Sequence, residues 1–103
     1  MIVEYTRYRI PEEERRAAFL EAYGKAAQYM KSSPACLAYE LTHCTEEADW
    51  FMLRIEWKST EEHLQGFRKE PGFKEFFHLV QPFFHDIAEM QHYELTSVVY
   101  QAQ

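Results

Sequence analysis

The sequence predicts an α+β domain in which two helices cover one face of a four-stranded antiparallel sheet. Three observations predict it. Runs rich in β-branched and aromatic residues alternate with runs of helical spacing in the order strand, helix, strand, strand, helix, strand. The four prolines, Pro11, Pro34, Pro71 and Pro82, all fall at or between the ends of those runs, where a missing N–H does no harm. Aromatic residues make up 17% of the chain, 8 Phe, 7 Tyr and 2 Trp, a density that fills a core, lines a concave pocket or anchors an interface.

The first strand, Ile2 to Ile10, is "IVEYTRYRI", and it stops at Pro11. Period-two alternation puts Glu4, Thr6 and Tyr8 on one face and Tyr5, Arg7 and Arg9 on the other. Pro11, a first turn of Glu12, Glu13 and Glu14, and the Glu12 to Arg16 spacing open a helix. Its inner stripe is Phe19, Leu20, Tyr23, Ala26, Ala27 and Met30, and "SSP" at Ser32 to Pro34 ends it. "CLAYELTHC" and "WFMLRIEW" are strands joined by "TEEAD", a connection of hairpin length, so they pair antiparallel. Ser59 and Glu62 have capping-box spacing and open a second helix with Thr60, Leu64 and Phe67 inside. "EPGF" at Glu70 to Phe73 breaks that helix, "KEFFHLV" resumes it before Pro82, and a last strand lies near Glu89 to Leu95. This is the order of a ferredoxin-like sheet.

The face of the sheet away from the helices is expected to be covered. On the third strand Phe51, Leu53, Ile55 and Trp57 point one way, while Trp50 and Met52 lead the opposite set, ahead of Arg54 and Glu56. On the second, Leu37, Tyr39 and Leu41 alternate with Cys36 and Ala38. A sheet with one wet face alternates more cleanly. A chain of 103 residues without a linker forms one domain, residues 1–103, and buries only roughly 65% of its unfolded surface. A two-fold homodimer that covers the bare face is therefore expected.

Composition excludes several classes of function. Lys and Arg number 11 against 17 Asp and Glu, a net charge of −6 that repels polyphosphate, so no nucleic-acid partner is expected. Apolar runs are too short to span a membrane, and "MIVEYTRYRI" lacks the basic and apolar regions of a signal peptide. Cys36 and Cys44, on one strand, would stand about 26 Å apart at about 3.3 Å per residue, beyond disulfide reach. Free thiols suit a cytoplasmic location, and without C-x-x-C or H-x-x-x-H spacing no metal site is expected.

"CLAYEL" (Cys36 to Leu41), "LRIEWKSTEEHLQGF" (Leu53 to Phe67) and "PGFKEFFHLVQPF" (Pro71 to Phe83) resemble the antibiotic biosynthesis monooxygenase family of dimeric α+β barrel proteins, over about residues 1 to 95. The resemblance implies a homodimer with a pocket between sheet and helices in each subunit. In it a small aromatic or quinol-like substrate reacts with O2 without metal or flavin, the protein binding the ring, taking a proton and excluding water. Trp57 matches the tryptophan that ends the third strand in the family. The tyrosine six residues later in the polyketide-oxidising branch is His63 here, and an asparagine four residues before the tryptophan is Leu53. In the haem-degrading branch an asparagine, a tryptophan and a histidine ligand correspond to Thr6, Phe67 and either Phe77 or, one residue on, His78. A shift of one residue turns a helical side chain by about 100°.

These positions give the candidate site: His63 as proton acceptor, Trp57 as pocket wall, and Thr6, Tyr39 and Phe67 as lining, with no cofactor. Each has a plainer alternative. His63, one residue before Leu64 and four before Phe67, sits at the edge of an apolar stripe where a packed imidazole is ordinary. Phe73, Phe76 and Phe77 have the spacing of core residues, and Arg54, which points with Glu56 on the third strand, could hold an anionic ring oxygen but is explained equally well by salt bridging across the sheet. His43, His85 with Asp86, and His92 lack the company of a nucleophile. Two other functions remain open: a non-catalytic ligand-binding or sensor dimer, which a sealed void smaller than one ring would favour, and haem binding or degradation through His78.

Overall fold

The computed structural model describes residues 1–59, 61 and 66–102. Strand β1 spans Ile2–Arg9, helix α1 Glu13–Lys31, β2 Cys36–His43, β3 Trp50–Trp57, helix α2 Phe73–Val80 and β4 Ile87–Glu94, with single 3-10 segments at Phe67–Lys69 and Gln81–Asp86. The four strands form one antiparallel sheet in the order β2-β3-β1-β4, the ferredoxin-like arrangement, with both helices on one face. Of the expected capping box and inner stripe, Glu62, Thr60 and Leu64 lie outside the described residues; Ser59 follows β3, and Phe67 is buried at the start of a 3-10 turn.

Helix α1 forms where the sequence places it, with Glu13 and Glu14 in its first turn and Lys31 in its last, both favourable to the helix dipole. Glu12 at its start takes Arg15 as partner at 2.8 Å, instead of Arg16. The Arg16 guanidinium turns back to the Ile10 and Pro11 carbonyls and to Asp49 at 2.9 Å, which ties the helix to the β2–β3 connection. Phe19, Tyr23, Ala26 and Met30 are its buried stripe, while Leu20 is exposed because only a narrow strip of this helix meets the sheet. At the other end Ser33 donates to Glu70, joining the helix end to the segment that leads into α2. The N-terminus of α2 comes close to α1 there: a Cβ added to Gly72 would stand 3.1 Å from Tyr29 Cδ1.

The inner face of the sheet carries the core. Tyr8 faces Phe51, Thr6 faces Leu53 and Glu4 faces Ile55 across β1 and β3. Tyr39, Leu41 and His43 continue that face on β2, where the His43 ring stacks on Phe51 and its Nε2 donates to the Ala48 carbonyl oxygen at 2.8 Å. The pairing of β2 slips between Cys36 and Ala38, so that Cys36 stands opposite Trp57 and Leu37 is skipped. Cys36 rather than Leu37 therefore shares the inner face with Tyr39 and Leu41, and Leu37 is left exposed. The outer face carries Tyr5, Arg7 and Arg9 on β1 and Trp50, Met52, Arg54 and Glu56 on β3, with Tyr93 on β4. Arg7 lies over the Trp50 ring at 4.0 Å, Tyr5 meets Tyr93 edge to face, and Arg54 pairs with Glu56 at 2.7 Å.

Candidate functional site

Between the inner face of the sheet and the two helices lies a cavity of about 510 Å³. Its floor is β1, β3 and β4, through Glu4, Thr6, Tyr8, Leu53, Ile55, Trp57, Ile87 and Met90. Its roof is Tyr23 and Met30 from α1, Phe67 and Arg68 from the 3-10 turn, and Phe73, Phe76, Phe77, Val80 and Phe84 beyond. The rings hold one another by edge: Phe67 packs on Phe73 and Phe76 with centroids 5.4 and 5.2 Å apart, nearly perpendicular, and tilts against Trp57 at 5.6 Å. Met90 and Phe84 are 45% and 37% exposed, so the cavity reaches solvent beside β4. It is larger than the sub-ring void that the binding-module alternative predicts, and falls within the usual range for small-molecule pockets.

Two polar spots break the apolar wall. At one, the Glu4 carboxylate, 4% exposed, accepts from Trp57 Nε1 at 3.1 Å and from the Thr6 hydroxyl at 2.6 Å. At the other, the hydroxyls of Tyr8 and Tyr23 share a hydrogen bond. Burial pushes the Tyr8 phenol up to about 12 and the Tyr23 phenol well above its ordinary range, so both are neutral and one donates to the other. Arg68, though exposed, contributes to the rim.

Of the residues expected from the sequence, Trp57, Thr6 and Phe67 meet on the cavity wall. His63 lies outside the described residues. Tyr39 is half-buried on the inner face of β2, an edge strand that adds no residue to the described wall. Strand periodicity put Glu4 on the face of Thr6 and Tyr8, and the signal that would have marked it is that a carboxylate there has to be buried with donors. Helix α2 is regular from Phe73 to Val80, puts Phe77 on the wall and leaves His78 exposed. Of the two candidate positions for a haem ligand, Phe77 has no ligating atom and His78 does not reach the described wall. Burial pushes the Cys36 thiol up to about 11, which removes it as a nucleophile at neutral pH. Asp86, beside His85, is held by Arg15 at 2.6 and 3.1 Å. Among the described residues no three of His, Cys, Asp or Glu gather as metal ligands, and no helix is long and apolar enough to cross a membrane.

A four-stranded antiparallel sheet with an aromatic-walled cavity under its helices defines a small α+β domain of the ferredoxin-like class. The model of the antibiotic biosynthesis monooxygenase family matches residues 1–79, and the chain belongs to that family. Uncharacterized protein YczJ of Bacillus subtilis (strain 168) is 26% identical over 76 residues, which cover 74% of this chain and 80% of that protein. Among solved structures, a protein of Bordetella bronchiseptica provisionally assigned as an antibiotic biosynthesis monooxygenase has a TM-score of 0.74 at 21% identity, covering 92% of this chain and 96% of that one. A conserved protein of Methanosarcina mazei Go1 has a TM-score of 0.75 at 18% identity, covering 92% of each chain. At these identities the structures are alike in fold.

Proposed function

We propose that this protein, with residues 1–103 as one domain, is a cofactor-independent monooxygenase that oxidises a small aromatic or quinol-like substrate with O2. The observation that carries the reading is the cavity of about 510 Å³ walled by Trp57, Phe67, Phe73 and Phe76, a slot for a flat molecule of one or two rings. A quinol needs no outside reductant. A hydroquinone and O2 together give a hydroxyquinone and water: one oxygen atom joins the ring in place of hydrogen, the other leaves as water, and the ring supplies all four electrons. The protein has to hold the ring, receive protons as electrons leave, and keep bulk water out. Trp57, Thr6 and Phe67 form the binding wall in this reading, and His63, by the family resemblance, takes a proton.

An oxygen electrode tests it directly. Uptake is expected with members of a hydroquinone and phenol panel at neutral pH, with one atom of labelled oxygen in the product. A general base contributes about 10² or more in rate, so His63→Ala is expected to slow uptake by about that factor. No uptake across the panel would end the reading.

The same proposal includes a homodimer formed through the outer face of the sheet, in a cytoplasm whose reducing conditions suit the free Cys36 and Cys44. Trp50, Met52 and Tyr93 share that face, and Tyr93 and the adjoining Leu95 are nearly half exposed in a single chain. Sedimentation is expected to give about twice the 12.4 kDa of one chain. Trp50→Glu, at a ring that Arg7 already covers, is expected to weaken association by about 2 kcal/mol, roughly 30-fold. A monomer in the wild type overturns the dimer.

A further inference from the structure

The inner face of β1 presents a carboxylate between the apolar Ile55 of β3 and His92 of β4, a half-buried imidazole directly across from it. Glu4 stands opposite Ile55 and beside Thr6, 4% exposed, and it lines the cavity. An apolar residue would fill that place without the several kcal/mol that burying a carboxylate costs before its hydrogen bonds are counted. The surrounding residues hold it in one orientation. Trp57 Nε1, a group that can only donate, fixes Oε1 at 3.1 Å, and the Thr6 hydroxyl fixes Oε2 at 2.6 Å. The donors come from the end of β3 and from two residues along β1, both rigid strand positions, so the carboxylate is preorganised at the cavity wall.

We propose that Glu4 is the recognition group for a hydroxyl of the aromatic substrate and receives that hydroxyl's proton during oxidation; the second half of this rests on the monooxygenase reading above. Both Glu4 oxygens already accept, from Trp57 and Thr6, and a carboxylate offers acceptors and no donor, so the site selects rings that carry a donor, phenols and quinols, over their ethers and over quinones. A ground-state phenol gives up its proton to a carboxylate only transiently. Once an electron has passed to O2, the ring hydroxyl is strongly acidic: its O–H bond breaks, the proton moves to Glu4, and a neutral semiquinone faces superoxide. After the two radicals join, the proton returns to the oxygen atom that leaves as water. Oxidation of a quinol releases two protons, so Glu4 and His63 have separate tasks.

Two readouts keep recognition and catalysis apart. The first is binding, measured by titration calorimetry with 2-naphthol and with 2-methoxynaphthalene, which differ by one methyl group and are both stable in air. Wild-type protein is expected to favour 2-naphthol by tenfold or more, and Glu4→Gln, which keeps the side-chain volume but replaces one acceptor oxygen by an NH2 donor, to lose that preference. Equal affinity for both probes in the wild type, or an undiminished preference in Glu4→Gln, overturns the proposal. Where Glu4→Gln does not fold, Glu4→Asp draws the carboxylate back by one carbon–carbon bond and is read by the same ratio. The second readout is kcat for hydroquinone oxidation, expected to fall about 100-fold in Glu4→Gln, with KM changed far less. A kcat within threefold of wild type overturns the proton-accepting role. A wild-type protein that discriminates the two probes through Glu4 but consumes no O2 sinks the monooxygenase reading and upholds the recognition role.

Discussion

Trp57→Ala is expected to remove more stability than any other single change on the inner face of the sheet. The indole is 1% exposed, packs against Phe67, and donates to a buried carboxylate. Truncating a buried tryptophan costs about 3–5 kcal/mol through lost transfer and the void left behind. Glu4 also loses the donor that fixes Oε1, and a buried polar group deprived of a partner costs about 1–3 kcal/mol more. Against a total of about 5–15 kcal/mol for a domain of this kind, the sum leaves a barely folded protein. Trp57→Phe separates the two contributions: it keeps most of the ring volume and removes the N–H, so it is expected to cost about 1–3 kcal/mol. Urea unfolding of the three proteins measures both. A loss below about 1 kcal/mol in Trp57→Ala would mean that the indole is not what holds the floor of the cavity together.

That indole was legible in the sequence because an alternating strand of eight residues leaves little doubt about which side chains share a face. The same alternation placed Tyr8 with Thr6 and Phe51 with Leu53, and through them the element order and the sheet. The failures have physical causes of their own. Leu37 was read on the face of Tyr39, but the pairing slips beside it, and no glycine marks the irregularity. Arg16 has helical spacing from Glu12, yet two backbone carbonyls and Asp49, 33 positions away, hold it instead. Glu4 illustrates the general limit. A glutamate on a half-buried strand reads as solvent-facing, and its burial is decided by Trp57, 53 positions further on, which reaches it only after β1 and β3 have paired. Tyr39 carries the correct face, but its strand is at the sheet edge, and strand order cannot be read from alternation. Local pattern finds faces; which face closes over a cavity depends on pairings far apart in the chain.

A steep loss of stability above pH 10 is the second large effect expected, and it arises at the other polar spot in the cavity. Tyr8 is 1% exposed and Tyr23 6%, their hydroxyls share a hydrogen bond, and Phe19 packs against both rings. Burial raises Tyr8 to about 12 and Tyr23 further, whereas in the unfolded chain both titrate near 10. Below pH 10 both phenols are protonated in either state, and stability does not depend on them. Above it the unfolded chain gives up protons that the folded chain retains, so the unfolded state binds fewer protons and stability falls with pH, by about 1.4 kcal/mol per unit for each tyrosine. For Tyr8 the fall ends near pH 12; for Tyr23 it continues. The Tyr8→Phe/Tyr23→Phe double variant removes donor and acceptor together, which at neutral pH is close to neutral for stability, and it is expected to flatten the alkaline limb. Urea midpoints measured from pH 8 to 12 in both proteins decide it: parallel curves would show that the buried phenol pair does not govern alkaline unfolding. Because Tyr8 and Tyr23 also line the cavity, a bound ring that excludes water from them is expected to move the onset of the fall to higher pH.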